Sequence, residues 1–532
     1  MTKANYFIHP VLLSIFPTLA LYAHNINESW PIITLFPIIY SLVLALLSWL
    51  FFYLLLKNIE KTSIMTSIWL ILFFSFGHVY LYISELNFIK KLPLSSNKIL
   101  LTTYLFTIAF SFIILLRRKK RLNTVSKFLN VIAIAIVLTN LISIIPFEYR
   151  RFVSLIKLLQ YKNENKLQLT ATNKNINSYP DIYYLIFDRY GNNHILKKYL
   201  DYDNKQFLSF LEEKNFYIAD RSYANYPFTF LSLSSSLNME YLDYLYDIFG
   251  RNNMDQAALY SVLLENNNTI SFLKKSGYRY LHFGDRWTGT KINRLADENY
   301  NKYIKFDLFE LFLYESTLLN TVYGKIFSKQ VFSGTANLSK IPENLDYKIE
   351  KLKEIIPSAG PKFVFGHFLL PHRPFLVSKE CQPLDLEIVR RRSNEEAYIE
   401  QLKCANKEMK MLVEEIRAKS KRPTVIILQS DEGPYVPEIY FEKENFPKKT
   451  NNESYNIHAR ILNAFYLPET QNKGTVDYRK LNINTAITPV NTFRMIFNHY
   501  FGTNLKILEN KSYIFKERKN PYELIDITDK LN

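Results

Sequence analysis

Five long apolar runs within the first 150 residues constrain this 532-residue chain more than any other feature of its sequence. A helix that spans a bilayer needs about 20 mostly apolar residues, and each run is close to that length. A single run would fit a buried core helix, but five in succession with short polar connections predict a membrane bundle. The predicted bundle occupies residues 1–150, with spans near residues 6–23, 32–56, 64–83, 99–116 and 128–147.

Basic residues in the connections predict the orientation of the bundle. The connection after the fourth run carries a cluster of Lys and Arg between Arg117 and Lys127, whereas the first connection, residues 25–29, carries none. Because Lys and Arg near helix ends stay on the cytoplasmic side, we expect a cytoplasmic N-terminus and an extracytoplasmic location beyond Arg150. Cleavage of the first run as a signal peptide is the alternative, although no small-x-small site follows it.

Composition and charge disfavour several classes of function. The chain has 13 glycines and neither G-x-G-x-x-G nor G-x-x-x-x-G-K-[ST], which disfavours dinucleotide and P-loop sites. Its formal net charge is +17, and beyond residue 150 the basic residues are spread along the chain. That spread favours an anionic membrane surface or phosphate-bearing substrates over nucleic acid. Cys381 and Cys404 form either a disulfide or two unrelated buried thiols.

The chain after the apolar runs has a different pattern. Residues 151–178 are polar and lack a sustained period, which predicts a linker. Residues 179–532 alternate short apolar runs with helical patterns, and this alternation predicts an α/β domain around a mostly parallel central sheet. The predicted strands lie at residues 181–187, 278–283, 363–370, 424–429 and 461–467.

Polar side chains follow four of these predicted strands. Ligands in parallel sheets bind beyond the carboxyl ends of the strands, so residues that follow several strands are expected to converge on one site. Oxygen ligands suit a divalent cation. The candidate nucleophile is Thr229, two residues after Pro227, at the predicted start of a helix whose N–H groups favour an anion. The second predicted strand contains His282, and the residues that follow the strands are Asp188, Asp285, His372, Asp431 and Glu432.

These residues in this order resemble the membrane-anchored, sulfatase-like branch of the alkaline phosphatase superfamily. The resemblance covers about residues 180–502 and includes G-H-F-L-L-P-H-R-P-F around His372 and Q-S-D-E-G-P around Asp431. Five spans before an outward-facing domain also resemble lipoteichoic acid synthases and lipid A phosphoethanolamine transferases. The local motifs are similar to sulfatase-like proteins of bacterial surface-polysaccharide loci, which implies a bacterial inner-membrane protein.

The resemblance implies a divalent metal ion, Mn²⁺, Mg²⁺ or Zn²⁺, beside a nucleophilic threonine. Thr229 would be both a ligand and the nucleophile, and His372 and His282 would contact the phosphate or protonate the leaving group. The implied metal ligands are Asp188, Thr229, Asp431 and Glu432, and the implied substrate contacts are His282, Asp285, Trp287, Arg294, His372 and His458.

One position departs from the family pattern. The usual Asp-His-Gly is here Asp431-Glu432-Gly433, with a carboxylate where an imidazole normally binds the metal. A glutamate ligand would favour Mn²⁺, Mg²⁺ or Ca²⁺ over Zn²⁺, and the alternative is a site that has lost its metal. His458 is a candidate substitute, although a lone His before a strand is usually structural.

The resemblance leads to a function hypothesis with two alternatives. The hypothesis is a phosphotransferase that moves a phosphate-linked group from a phospholipid or other lipid-linked donor to a cell-surface glycan or polymer through a phospho-threonine. The alternatives are an extracytoplasmic phosphodiesterase or phosphatase and a non-catalytic scaffold in envelope assembly. Hydrolysis of sulfate esters is disfavoured, because no Cys or Ser followed by x-P-x-R lies near Thr229.

Overall fold

The computed structural model of the chain describes two units. The first contains Met1–Phe152 and Phe306–Asn337, and the second contains Val153–Lys305 and Leu338–Asn532. The chain therefore passes between the units at three places in the sequence. The described residues are 6–86, 95–172, 179–302, 308–320, 341–434, 452–469, 475–476, 478–481, 484–517 and 520–531, so residues 173–178 of the predicted linker lie outside them.

Apolar helices in the first unit confirm the predicted bundle. Among the described residues, four helices are long and apolar enough to cross a membrane, and a further, shorter apolar helix of 17 residues precedes them. Many of their large side chains are exposed, for example Leu46 at 63% and Phe106 at 69%, as expected of surfaces that face lipid. The five helices are Ile8–His24, Leu35–Leu56, Ile59–Glu85, Ser96–Arg117 and Asn123–Glu164, and the unit also contains the helix Leu308–Ser316.

Buried polar groups link the helices of the bundle. His9 Nδ1 lies 2.6 Å from Ser67 Oγ, and Nε2 lies 3.0 Å from Ser126 Oγ. The backbone N–H of His9 donates to Asn130 Oδ1. Both ring nitrogens of this histidine are therefore used in joining three helices, which is the usual role of polar side chains between spanning helices.

The fifth helix continues into the segment that the sequence pattern predicts as a linker. It ends only at Glu164, and Leu158 within this extension is fully buried in the core of the second unit. Leu155 packs against the same core, and Lys162 Nζ donates to the carbonyl oxygen of Val262. Tertiary packing of these apolar side chains stabilises the extension of the helix beyond the apolar run.

A seven-stranded sheet forms the centre of the second unit. Its order is β2-β7-β6-β1-β5-β3-β4, in which β7 is antiparallel to both of its neighbours and the other pairs are parallel. The observed fold thus confirms the predicted α/β class with a mostly parallel sheet. The strands are β1 Asp181–Phe187, β2 Tyr217–Ile218, β3 Arg279–Phe283, β4 Glu298–Tyr300, β5 Lys362–Phe368, β6 Thr424–Gln429 and β7 Asn463–Tyr466, and a separate pair is β8 Tyr513–Phe515 and β9 Leu524–Asp526.

Helices cover both faces of the sheet, which is why its central strands are apolar on both sides. Tyr184 and Ile186 of β1 lie in one core, and Leu185 and Phe187 lie in the other. The principal helices of this unit are Asn193–Leu200, Lys205–Glu213, Thr229–Asn238, Leu245–Phe249, Asn268–Lys275, Ile341–Ile355, Leu386–Arg391, Asn394–Lys419, Asn452–Ala459 and Thr492–Phe501, with a single turn at Ala257–Leu259.

A disulfide joins Cys381 to Cys404, and both residues are buried. Cys381 lies in the loop after β5, and Cys404 lies in the helix Asn394–Lys419, which starts with a capping box of Ser393 and Glu396. The bridge therefore ties the loop that contains His372 to a long, well-capped helix.

We expect the double variant Cys381→Ala and Cys404→Ala to unfold at a lower temperature than the wild-type chain. Loss of a native disulfide typically reduces the free energy of unfolding by about 2–4 kcal/mol. Thermal unfolding of the full chain in detergent, followed by circular dichroism, measures the change, and a reductant should bring the wild type to the same midpoint. An unchanged midpoint in both samples would contradict the prediction.

Candidate functional site

Three parallel strands at the centre of the sheet end side by side. Ile186 of β1 pairs with His367 of β5 on one side and with Gln429 of β6 on the other. Paired residues on neighbouring strands point to the same face of a sheet. Two residues beyond Ile186 and Gln429, the chain reaches Asp188 and Asp431, so these carboxylates come close to the His367 ring.

Asp188, His367 and Asp431 form a buried cluster of potential metal ligands. One ligand atom of each residue lies within 4.8 Å of the others. Asp188 Oδ1, His367 Nε2 and Asp431 Oδ2 have no hydrogen-bond partner among the described residues. Because buried polar atoms are nearly always bonded, three such atoms in one place fit a bound cation with two oxygen donors and one imidazole.

A helix begins beside this cluster at Thr229. Phe228, which precedes it, has a φ of 65°, a strained conformation of the kind found at functional sites. The backbone of Phe228 lies beside Glu432, and the side chain of Thr229 lies beside Asp431, close enough for each to lower the pKa of the neighbouring carboxyl. The half-buried hydroxyl is therefore held against the acidic cluster, at the helix end whose free N–H groups attract anions.

Burial and mutual repulsion act strongly on the carboxyl groups of the site. Burial and the charges of Asp188 and Glu432 raise the pKa of Asp431 well above its ordinary value. Burial raises the pKa of Glu432 to about 7, against the lowering effect of Arg189. At Asp188 burial also acts upward, but interactions with His372, His367 and Arg189 outweigh it and lower the pKa to about 2. A cation would favour the ionised form of all three carboxyls.

Glu432 has a guanidinium partner as well as its place beside Asp431. Arg189 Nη2 lies 3.1 Å from Glu432 Oε1, and His458 Nε2 lies 3.6 Å from Glu432 Oε2. Burial and the charge of Arg189 lower the pKa of His458 to about 3, so this imidazole is neutral at physiological pH. The pairing compensates for a carboxylate at the position where the family pattern has an imidazole.

Thr290 orients the ring of His367. His367 Nδ1 lies 2.7 Å from Thr290 Oγ1, and the Thr290 carbonyl accepts a hydrogen bond from His282 Nε2. Since a carbonyl only accepts, His282 is protonated at Nε2, and its Nδ1 accepts from the Tyr280 hydroxyl. A Cβ on Gly284 would lie 2.3 Å from the Thr290 oxygen, so glycine permits this close approach. Burial lowers the pKa of His282 to about 4 and keeps it neutral.

A buried ion pair supports the backbone of His367. Lys348 Nζ lies 2.5 Å from Asp285 Oδ2 and donates to the carbonyl oxygen of His367 at 2.7 Å. The Trp287 ring meets the His367 ring edge-on, with 5.9 Å between their centroids. Burial lowers the pKa of Lys348, whereas the charge of Asp285 acts to raise it. Breaking such a pair would leave an uncompensated buried charge.

His372 lies in the loop that follows β5. Its Nδ1 donates to the carbonyl oxygen of Arg373, and Gln401 Nε2 donates to the carbonyl oxygen of His372 at 2.9 Å. Burial lowers the pKa of His372, although the charge of Asp188 acts in the opposite direction. The loop thus presents a neutral imidazole whose Nε2 is the ring atom able to exchange a proton with a substrate.

The structure separates the sequence-predicted residues into three groups. The first group is gathered at the cluster. The second group consists of Asp285, Trp287 and His282, which lie around His367 and support the cluster from outside. Arg294 lies apart and pairs with Glu265 at 2.6 Å, with 72% of its side chain exposed. The gathered residues are Asp188, Thr229, His372, Asp431 and Glu432, with His458 beside Glu432.

Sequence reasoning missed His367 and its supporting residues. The signal for His367 was its position in F-V-F-G-H-F, two residues after Phe365 and on the same face of the strand. The rule that site residues follow the strands selected His372, five positions later, and passed over His367, which lies inside β5. Arg189, Thr290 and Lys348 carried no comparable signal, since their roles depend on contacts between distant parts of the chain.

Comparison with known proteins confirms the sulfatase-like resemblance. Residues 217–461 match the family model described as Sulfatase. No curated protein sequence matches the chain.

Solved structures with a similar chain path have low sequence identity. The C-terminal periplasmic domain of EcEptC from Escherichia coli is 13% identical, covers 69% of this chain and 97% of its own, and has a TM-score of 0.42. The periplasmic domain of the phosphoethanolamine transferase EptC from Campylobacter jejuni is 14% identical, with coverages of 62% and 92% and a TM-score of 0.37. The lipooligosaccharide phosphoethanolamine transferase EptA from Neisseria meningitidis is 11% identical, with coverages of 93% and 95% and a TM-score of 0.35.

We expect Thr290→Val to weaken binding of a divalent cation by about 10- to 100-fold, the usual effect of removing a hydrogen bond that orients a metal-binding histidine. His367→Ala should weaken binding further, because it removes a ligand. Titration of the metal-free full chain with Mn²⁺ in a calorimeter measures both effects. Arg294→Ala is the matched control and should bind like the wild type, and equal affinities for all four proteins would contradict the assignment.

We expect cation binding to release protons at neutral pH. Burial holds the pKa of Glu432 at about 7 and that of Asp431 well above its ordinary value, so the metal-free site carries protons that a cation displaces. Apparent affinity should therefore rise as the pH increases through 7. Calorimetry in buffers of different ionisation enthalpy measures the number of protons, and a heat that does not depend on the buffer would contradict this prediction.

Proposed function

We propose that the chain is a metal-dependent phosphoryl-group transferase that moves a phosphate-linked group from a lipid donor to a cell-surface glycan or polymer. The observation that carries this proposal is the Thr229 hydroxyl held against Asp431, within a buried cluster of unpartnered ligand atoms. The match of residues 217–461 to the Sulfatase family model supports the proposal. The lack of a formylglycine motif near Thr229 favours phosphoryl over sulfate-ester chemistry.

The donor set fits a divalent cation. Asp188, His367 and Asp431 would hold it, with Thr229 and Glu432 beside them. A bound Mn²⁺, Mg²⁺ or Zn²⁺ would acidify the threonine hydroxyl and offset the negative charge of a phosphate. The mixture of carboxylate and imidazole donors is compatible with each of these ions.

Thr229 and His372 divide the proposed reaction between them. The Thr229 oxygen attacks the phosphorus of a lipid phosphodiester, a threonine–phosphorus bond forms, and the bond from phosphorus to the lipid alcohol oxygen breaks. His372 Nε2, which carries no hydrogen in the neutral ring, accepts the proton of the Thr229 hydroxyl and delivers it to that leaving oxygen. In the second step an acceptor hydroxyl attacks phosphorus, its proton passes through His372 Nε2 to the threonine oxygen, and the threonine–phosphorus bond breaks.

The bundle supplies the proposed location. Lys and Arg between Arg117 and Lys127 favour a cytoplasmic N-terminus and an extracytoplasmic catalytic domain at a bacterial inner membrane. A domain tethered to a bilayer meets phospholipid headgroups at high effective concentration, which favours a lipid donor. A hydrolase that uses water as the acceptor is the nearest alternative.

One observation favours a non-catalytic scaffold as the second candidate. Glu432 occupies the position of the usual imidazole and pairs with Arg189. A guanidinium inside a carboxylate cluster supplies positive charge without a metal ion. In that case the fold would be retained for contacts in envelope assembly, and metal binding and phosphorylation of Thr229 would both be absent.

We expect the purified chain, incubated with Mn²⁺ and vesicles that contain phospholipid labelled at the headgroup phosphate, to become labelled on Thr229. Mass spectrometry of the peptide locates the modification. Thr229→Ala should lose it completely, because no oxygen is left to attack phosphorus. Thr229→Ser is the matched control, since it keeps the hydroxyl and should keep measurable labelling.

The final position of the label separates the alternatives. Label on a glycan acceptor indicates a transferase, and label released as free phosphate or a free phosphate ester indicates a hydrolase. If the wild-type chain is never labelled and the Thr229→Ala strain keeps its surface glycan, the scaffold is correct and the proposed chemistry is wrong.

A further inference from the structure

A short part of the chain after β4 returns to the apolar bundle. Residues 308–320, here named the return segment, consist of the helix Leu308–Ser316 and the turn that follows it. They belong to the same unit as the five apolar helices, although the chain up to Lys305 and from Leu338 onward belongs to the second unit. The segment has the sequence L-F-E-L-F-L-Y-E-S-T-L-L-N, which is rich in large apolar residues.

The return segment contacts a spanning helix far from that helix's end. A Cβ on Gly77 would lie 2.2 Å from the carbonyl oxygen of Glu315, so the two backbones are in direct contact. The N–H of Leu318 donates to the carbonyl oxygen of Phe73 at 2.8 Å. At 1.5 Å per residue, Gly77 lies about 12 Å along the helix from its end at Glu85, and Phe73 lies about 18 Å from that end. Phe73 is thus near the middle of a 27-residue helix.

Side-chain packing shows that the segment descends along the bundle. Phe309, near its start, packs with Tyr22, which lies two residues before the end of the first helix. Leu318, near its end, packs against clusters that include Ala45 and Tyr104. Both of these residues lie well inside their helices, so the segment runs from the end of the bundle toward its middle.

Backbone carbonyl groups at the turn accept hydrogen bonds from side chains of the segment itself. Thr317 Oγ1 donates to the carbonyl oxygen of Tyr314, Ser316 Oγ donates to that of Leu313, and Asn320 Nδ2 donates to that of Glu315. Non-helical backbone is tolerated at membrane depth only where protein satisfies and buries it. This turn, bonded to itself and to Phe73, meets that condition.

We propose that the return segment is re-entrant: it enters the bilayer part-way along the spanning helices and places Phe312 and Leu319 against phospholipid acyl chains. These side chains are 50% and 48% exposed, at depths where the spanning helices also expose large apolar residues. Acyl chains fit these side chains best. The alternative would expose the Phe312 ring and the Leu319 side chain to water at the level of a spanning helix, which is unfavourable for apolar groups. The chain that carries the candidate site thereby has a second contact with the bilayer, independent of the chemistry proposed above.

Nitroxide labels measure the depth of the return segment in the full chain. Both native cysteines are in the disulfide, so an introduced cysteine is the only free thiol. Labels at Phe312→Cys and Leu319→Cys, with the chain in phosphatidylethanolamine and phosphatidylglycerol vesicles, should be relaxed more by oxygen than by a water-soluble nickel chelate. Leu46→Cys, on a spanning helix, is the lipid reference, and the exposed Lys197→Cys is the aqueous reference.

The two references make each outcome decisive. Accessibilities at 312 and 319 that match Leu46 support the re-entrant segment, and accessibilities that match Lys197 overturn it.

A second variant tests the contact itself. Gly77→Leu places a side chain where the Glu315 backbone lies, so the label at 319 should gain chelate accessibility by several-fold. Ile71→Leu, at an exposed position of the same helix, is the matched control and should leave the label unchanged. An unchanged label in Gly77→Leu, with the Leu46 label still in lipid, would also overturn the proposal. None of these measurements depends on catalysis, so they succeed or fail separately from the labelling of Thr229.

Discussion

Uncompensated negative charge at the ends of two neighbouring parallel strands, β1 and β6, is the constraint on which the rest of the site depends. Asp188, Asp431 and Glu432 are buried together, and burial opposes their ionisation. Only one guanidinium, that of Arg189, pairs with them within the described part of the chain. Three carboxylates with one fixed positive charge need roughly two more, which is the charge of one divalent cation. The unpartnered oxygen and nitrogen atoms point to the same conclusion.

The residues around this cluster act mainly by holding His367 in place. Thr290 fixes its ring, His282 fixes Thr290, and Lys348 fixes its backbone oxygen while pairing with Asp285. Such outer groups determine which nitrogen of a histidine carries the proton and where its lone pair points. His282 therefore has both ring nitrogens occupied, whereas His367 in β5 has its Nε2 available.

The need to satisfy buried polar groups also applies to the apolar helices of the first unit, where lipid takes the place of water. A polar group without water must be bonded by protein, whether it lies in a carboxylate cluster or between apolar helices. His9 meets this requirement by bridging three helices, and the turn after Ser316 meets it through its own carbonyl groups. Some buried polar atoms, such as His367 Nε2, have no hydrogen-bond partner among the described residues. These atoms identify the place where a bound cation would complete the bonding.

The sequence by itself determined the bundle, the class of the second domain and most of the acidic site. Apolar length and period are local properties, and Asp188, Thr229 and Asp431 stand directly after strands or at a helix start, where local pattern is informative. Tertiary structure alone decided that His367 joins the carboxylates, that Glu432 pairs with Arg189, and that residues 308–320 return to the bundle. Strand register, the packing of distant loops and the path of a chain between units depend on contacts far apart in sequence, and no local pattern records them.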